Sequence, residues 1–121
     1  MSFLSHLETV IKDVPGALAC SVMGYDGISV ETHQLDGAME DLELSSTWVE
    51  YANVLTQLKN AAEMLKTGAV SEVSINSERV ITLMRMVTPE YFLVLALKPD
   101  GNYGKARYVL RLAAPKVKAE L

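Results

Sequence analysis

At 121 residues, with half its side chains apolar and about a fifth charged, the chain is sized for one domain over 1–121 whose core needs no metal or disulfide staple. A net charge of −4 gives no reason to expect nucleic acid or an anionic membrane as a partner. The lone Cys20 excludes an internal disulfide, and with no basic leader and no apolar run near the ~18 residues of a membrane helix the sequence predicts a cytoplasmic protein.

In chain order, Phe3, Leu4, Leu7, Val10, Ile11 and Val14 recur at helical spacing. Ser2 is placed to cap this helix, Ser5 with Glu8 offers a second capping box, and Pro15-Gly16 ends it. A strand is expected from Ala17 to Met23, with Leu18, Cys20 and Val22 on one face. Asp26-Gly27 then supplies the positive φ values of a tight hairpin turn, and a return strand runs from Ile28 to about His33. Gln34 to Leu44 is irregular and carries Asp36, Glu40, Asp41 and Glu43. Their spacing matches no calcium loop, which leaves a solvated acidic segment as the better reading.

Ser46 to Lys66 is the most informative stretch. Trp48, Tyr51, Leu55, Leu58, Ala62 and Leu65 form one helical stripe, widened by Val54, Ala61 and Met64. The apolar arc covers roughly 200°, whereas a helix lying on one core needs somewhat more than ~100°. Such a helix either fills a deep cleft or keeps apolar surface for a second contact, and large apolar patches generally mark interaction sites. Thr47 with Glu50 reads as its capping box and Gly68 as its end.

Three strands follow: Glu72 to Asn76, Val80 to Val87 and Tyr91 to Leu97. In the second, Ile81, Leu83, Arg85 and Val87 share one face, so Arg85 needs a carboxylate partner or an interface. The third is almost continuously apolar and suits a strand covered on both faces. A final helix repeats Tyr103, Ala106, Leu110, Ala113, Val117 and Leu121, with a kink or early end expected ahead of Pro115. Residues 98–121 carry 6 basic and 2 acidic side chains, against 5 and 13 in residues 1–97. The order α-β-β-α-β-β-β-α, with hairpin connections, predicts a three-layer α/β/α sandwich around a five-stranded antiparallel sheet.

The chemistry is mostly negative. There is no phosphate-binding glycine loop, no dinucleotide fingerprint and no Cys/His pattern at metal spacing, so no cofactor and no metal are expected. His6 and His33 are far apart and read as structural or surface residues, and Cys20 as a small core hydrophobe. Arg79, in the turn after the short strand, is the one exposed arginine placed to contact a partner phosphate or carboxylate.

The ordered set of Gly24-Tyr25-Asp26-Gly27-Ile28 between two strands, the wide-faced central helix, Tyr91-Phe92-Leu93-Val94-Leu95, and Gly104 to Arg111 at the head of the last helix resembles the Roadblock / dynein light-chain family over nearly the whole chain. The resemblance implies a non-enzymatic homodimer in which two sheets join edge to edge and the central helices lie side by side. It places Tyr51, Val54, Leu58, Ala61 and Met64 at the dimer- and partner-facing positions. It also implies a small Ras-like GTPase as the partner, of the bacterial polarity and motility type. The main rival is a dimeric scaffold subunit of a motor or signalling complex that leaves nucleotide turnover unchanged. A small-ligand sensor would need polar residues on its inward faces, and few are found there.

Overall fold

The computed structural model describes residues 2–35, 37 and 43–121. Helix α1 (Phe3–Asp13) is followed by strands β1 (Ala17–Gly24) and β2 (Ser29–Gln34), helix α2 (Leu44–Leu65), strands β3 (Glu72–Asn76), β4 (Ile81–Met86) and β5 (Tyr91–Leu97), and helix α3 (Tyr103–Lys118). The strands form one antiparallel sheet in the order β2-β1-β5-β4-β3. The α/β/α sandwich expected from the element order is therefore observed. The acidic Asp36, Glu40 and Asp41 lie outside the described residues.

Two apolar layers hold the sandwich. Leu7, Val10, Val22, Leu83, Leu95, Leu110 and Val117 pack between the sheet and the α1/α3 pair. Trp48, Leu55, Met84, Phe92, Val94 and Ala96 pack between the sheet and α2. Strand β5 alternates between these layers, which is why its sequence is apolar throughout.

Local chemistry sets the boundaries. Ser2 caps α1 by accepting from the Ser5 amide at 3.3 Å, and the helix starts there rather than at a second box on Ser5. Gly16 ends the turn after α1 at φ +89°, and a Cβ built on it would sit 2.6 Å from the Gly101 Cα. Gly16→Ala is therefore expected to lose about 2 kcal/mol of stability, from left-handed strain on an alanine together with the backbone clash. A urea midpoint unchanged from wild type would refute this packing.

Four expectations are corrected. Leu18 does not share a face with Cys20 and Val22. The pairing slips between Ala17 and Ala19, so Leu18 turns into the α2 layer while Cys20 and Val22 stay in the other. The capping box of Thr47 and Glu50 is absent: α2 begins at Leu44 after an N-cap at Glu43 that makes no side-chain cap bond, and the Thr47 hydroxyl donates back to the Glu43 carbonyl at 2.9 Å. Gly68 does not end α2; Lys66 does, in a left-handed conformation, with its amide reaching the Ala62 and Glu63 carbonyls. Helix α3 continues through Pro115 to Lys118. Pro115 removes one amide from the last turns, where both Pro115 and Arg111, four residues earlier, are exposed.

Candidate interaction surface on the central helix

Helix α2 is divided lengthwise. Trp48, Ala52 and Leu55 are buried against the sheet, three to four residues apart. Val54, Leu58, Ala61 and Leu65 follow the same rhythm but are offset by roughly a third of a turn, and they remain exposed, with Met64 beside them. Leu65 is 73% and Met64 81% exposed, so this is open apolar surface and not the wall of a cleft. Of the residues singled out from the sequence, Val54, Leu58, Ala61 and Met64 thus lie on one exposed face. Tyr51 is half-buried and packs against the α2 layer of the core. Leu65, part of the sequence stripe but not among the singled-out contacts, belongs to the exposed face.

The same layer of the molecule ends in an open sheet edge. Among the described residues strand β3 pairs only with β4, so its outer edge has no strand partner there. Its Val73 and Ile75 are half-buried and pack on the α2 layer. On the other face, Ser74 Oγ and Tyr103 Oη lie 2.9 Å apart, tying β3 to α3.

Glu72, at the start of β3, gathers the arginines. Arg107 donates to Glu72 Oε2 through Nη2 at 2.7 Å and Nε at 3.0 Å, and Arg85 Nη1 lies 4.0 Å from Oε1. Arg85 thereby finds the carboxylate that its strand position required. The Arg107 hydrogen bonds hold the Glu72 carboxyl below its ordinary range, against a smaller opposing effect of burial. A carboxyl lowered on folding contributes stability that is complete above the unfolded value of ~4.3 and is lost as pH falls through the folded value. Glu72→Gln is expected to flatten the acid limb of the stability profile below about pH 4.5 while leaving its shape near neutrality unchanged. Denaturant melts across pH check this; identical acid limbs in both proteins would exclude Glu72 as a contributor.

At the other end of α2, Lys59 forms a clamp that sequence reading missed. Its Nζ lies 3.6 Å from the Tyr25 ring centroid and donates to the Pro89 carbonyl at 3.2 Å. Tyr25 in turn donates to the Met86 sulfur at 3.2 Å and packs on Phe92, with ring centroids 5.2 Å apart. Burial pushes the Tyr25 hydroxyl up to about 12, so it stays neutral and remains a donor. Beside the clamp lies a groove of about 790 Å³ lined by Glu63, Lys66, Val70 and Thr88, among others. Lys59 was legible as polar, but its partners come from turns that are distant in sequence.

Arg79 is exposed in the β3–β4 turn and is held by a contact of its own. Cys20 is fully buried and free, and burial pushes its thiol up to about 12, which makes it inert at neutral pH. Among the described residues, no group of three His, Cys, Asp or Glu side chains is placed to hold a metal ion, and no helix is long and apolar enough to cross a membrane.

No protein-family model and no curated protein matches the chain. Solved structures do. The chain is 68% identical to MglC from Myxococcus xanthus, with both chains covered in full and a TM-score of 0.72. It also superposes on a Roadblock/LC7 domain from Streptomyces avermitilis with a TM-score of 0.84 over 99% of this chain and 98% of that one, at 12% identity. The chain belongs to the Roadblock/LC7 family. The gliding protein MglB from Thermus thermophilus shares the Roadblock fold, with a TM-score of 0.84 at 16% identity over 96% of this chain and 85% of that one. The last two likenesses are of fold alone. The residues that carried the family resemblance sit in the Roadblock arrangement: the Gly24–Ile28 turn joins β1 to β2, and the wide-faced helix is α2.

Proposed function

We propose that this chain is a non-enzymatic, homodimeric Roadblock module that binds and regulates a small Ras-like GTPase of the bacterial polarity and motility type. The observation that carries the reading is the open apolar face of Val54, Leu58, Ala61 and Leu65 on the same side of the sheet as the half-buried Val73 and Ile75 of the unpaired β3 edge. A two-fold contact satisfies both at once: β3 pairs with its copy and the two α2 helices cover each other. Two helices side by side then make one continuous platform. The fold shared with a protein named for gliding supports the motility setting.

GTPase switch loops change shape with the γ-phosphate, so a platform that contacts them binds in a nucleotide-dependent way. The test is titration of the chain with the Ras-like GTPase encoded nearest to it, loaded with a GTP analogue or with GDP. The expected result is at least a tenfold difference in affinity, equivalent to about 1.4 kcal/mol. Arg79→Ala is expected to leave any stimulated turnover in place, because regulation works by repositioning the GTPase's own residues; loss of turnover with binding intact would make Arg79 an inserted finger. Binding in neither nucleotide state would reject the GTPase reading and assign the dimer to the scaffold class.

A further inference from the structure

On the layer opposite α2, helices α1 and α3 leave a groove of about 680 Å³ between them. The two helices run antiparallel, since His6, early in α1, faces Glu120, just past the end of α3, at 3.6 Å. Val10, Val109 and Ala113 line its apolar base. The α3 side carries Lys105, Tyr108, Leu112 and Lys116, all exposed and spaced three or four residues apart on one face of the helix. Tyr108 is 51% and Leu112 47% exposed. Neither lysine meets a carboxylate among the described residues.

We infer that this groove docks an acidic amphipathic helix from a partner protein. Two observations choose that occupant. Residues 98–121 are the basic part of an otherwise acidic chain, so this is the face that an acidic segment approaches without repulsion. The lysines bracket the two apolar side chains over twelve residues of α3, about 16 Å from end to end, which matches a helix with two central apolar anchors and acidic residues at either end. The opposite wall carries Asp13, and Glu120 closes one end. These carboxylates force the partner's acidic side towards α3 and disfavour a flat anionic membrane, which would meet both walls together.

The test is selection of a displayed library of amphipathic helical peptides on the full-length chain, followed by anisotropy titration of the recovered peptides. The recovered sequences are expected to carry Asp or Glu around Leu, Ile or Phe anchors. Binding should weaken at least tenfold with the pair Lys105→Glu and Lys116→Glu, and with Leu112→Asp, each variant melting as wild type. Lys116→Arg should restore most of the affinity, and Asn60→Glu, an exposed change on the far side of the sheet, should leave it intact. Chemical shifts of the ¹⁵N-labelled chain should move along α1 and α3. Peptides that bind the double lysine variant equally well, that shift α2 instead, or that lack acidic residues would overturn the inference, as would recovery of no peptide at all. Lysine-dependent binding to vesicles of mixed phosphatidylserine and phosphatidylcholine, with no peptide recovered, would make the face a lipid contact and would also overturn it.

Discussion

Ala61→Glu is expected to convert the proposed dimer into a folded monomer. Ala61 is exposed on α2 and lies between Leu58 and Leu65 on the apolar face, so the glutamate is harmless in an isolated chain. At a paired-helix contact the same carboxylate loses its water with no cation beside it, and an uncompensated buried charge costs about 3–5 kcal/mol. With each 1.4 kcal/mol worth a factor of ten, the dissociation constant should rise by roughly two to three and a half decades. Sedimentation of the wild type should give about twice the 13.3 kDa chain mass, and the variant the single chain mass with an unchanged circular dichroism spectrum. Asn60→Glu, an exposed change on the polar side of the same helix, is the control and should remain dimeric. Equal behaviour of the two variants would mean that α2 does not meet its copy through this face. A wild-type monomer at every micromolar concentration would remove the dimer altogether.

Phe92→Ala should produce the largest loss of stability of any single truncation in the α2 layer. The ring is fully buried at the middle of the sheet, with Met23 of β1 opposite it on one side and Met86 of β4 on the other. It also carries the Tyr25 ring, which Lys59 covers in turn. Truncating a buried phenylalanine costs about 3–5 kcal/mol, because neighbours held by strand pairing collapse only partly into the hole. Total stability of a domain this size is typically ~5–15 kcal/mol, so a third or more of it could go, with a melting temperature lower by on the order of 15 °C. Phe92→Leu keeps much of the volume and should lose less than half as much. A melting point for Phe92→Ala within a few degrees of wild type would show that α2 settles into the space, and hence that this layer is less rigid than its packing indicates.

Hydropathy periodicity located the helices and most strands through a buried face, whereas β2, exposed or half-buried throughout, was placed by the Asp26-Gly27 turn before it. The elements came out shifted where geometry depends on pairing. The slip beside Leu18 has no sequence signature: neither flanking residue is a glycine, and the extra residue is defined only by the partner strand. Similarly, Thr47 and Glu50 have the residue types of a capping box, but Leu44 has a place in the core and draws the helix start towards it. Pro115 did not break α3: it and Arg111, four residues earlier, are both exposed, and exposure on that scale cannot be read from the proline itself. For the candidate site, the width of the α2 arc showed that apolar surface was left over. It did not show which part was left over, since the answer depends on where the sheet lies. The contacts of Lys59 with Tyr25 and Pro89, and of Glu72 with Arg107, join segments that sequence order keeps apart. His6 lies four residues before Val10 on the buried side of α1, and that spacing was the signal for its burial.

Strand β1 sits between β2 and β5, with Ala17 opposite Leu97. All eight of its residues are buried, yet the strand that covers one flank of it is the last of the five to be synthesised. A growing chain therefore carries an apolar hairpin with one flank open until β5 has been made, and α1 waits as well, because the helix it packs beside follows β5. Closure of a loop of this length must precede any reward from the central pairing, which makes folding slow for a chain of this size. The vulnerable interval for aggregation or proteolysis thus lasts until β5 has docked, and substitutions that weaken β5 should lower cellular yield more than their effect on the finished protein implies.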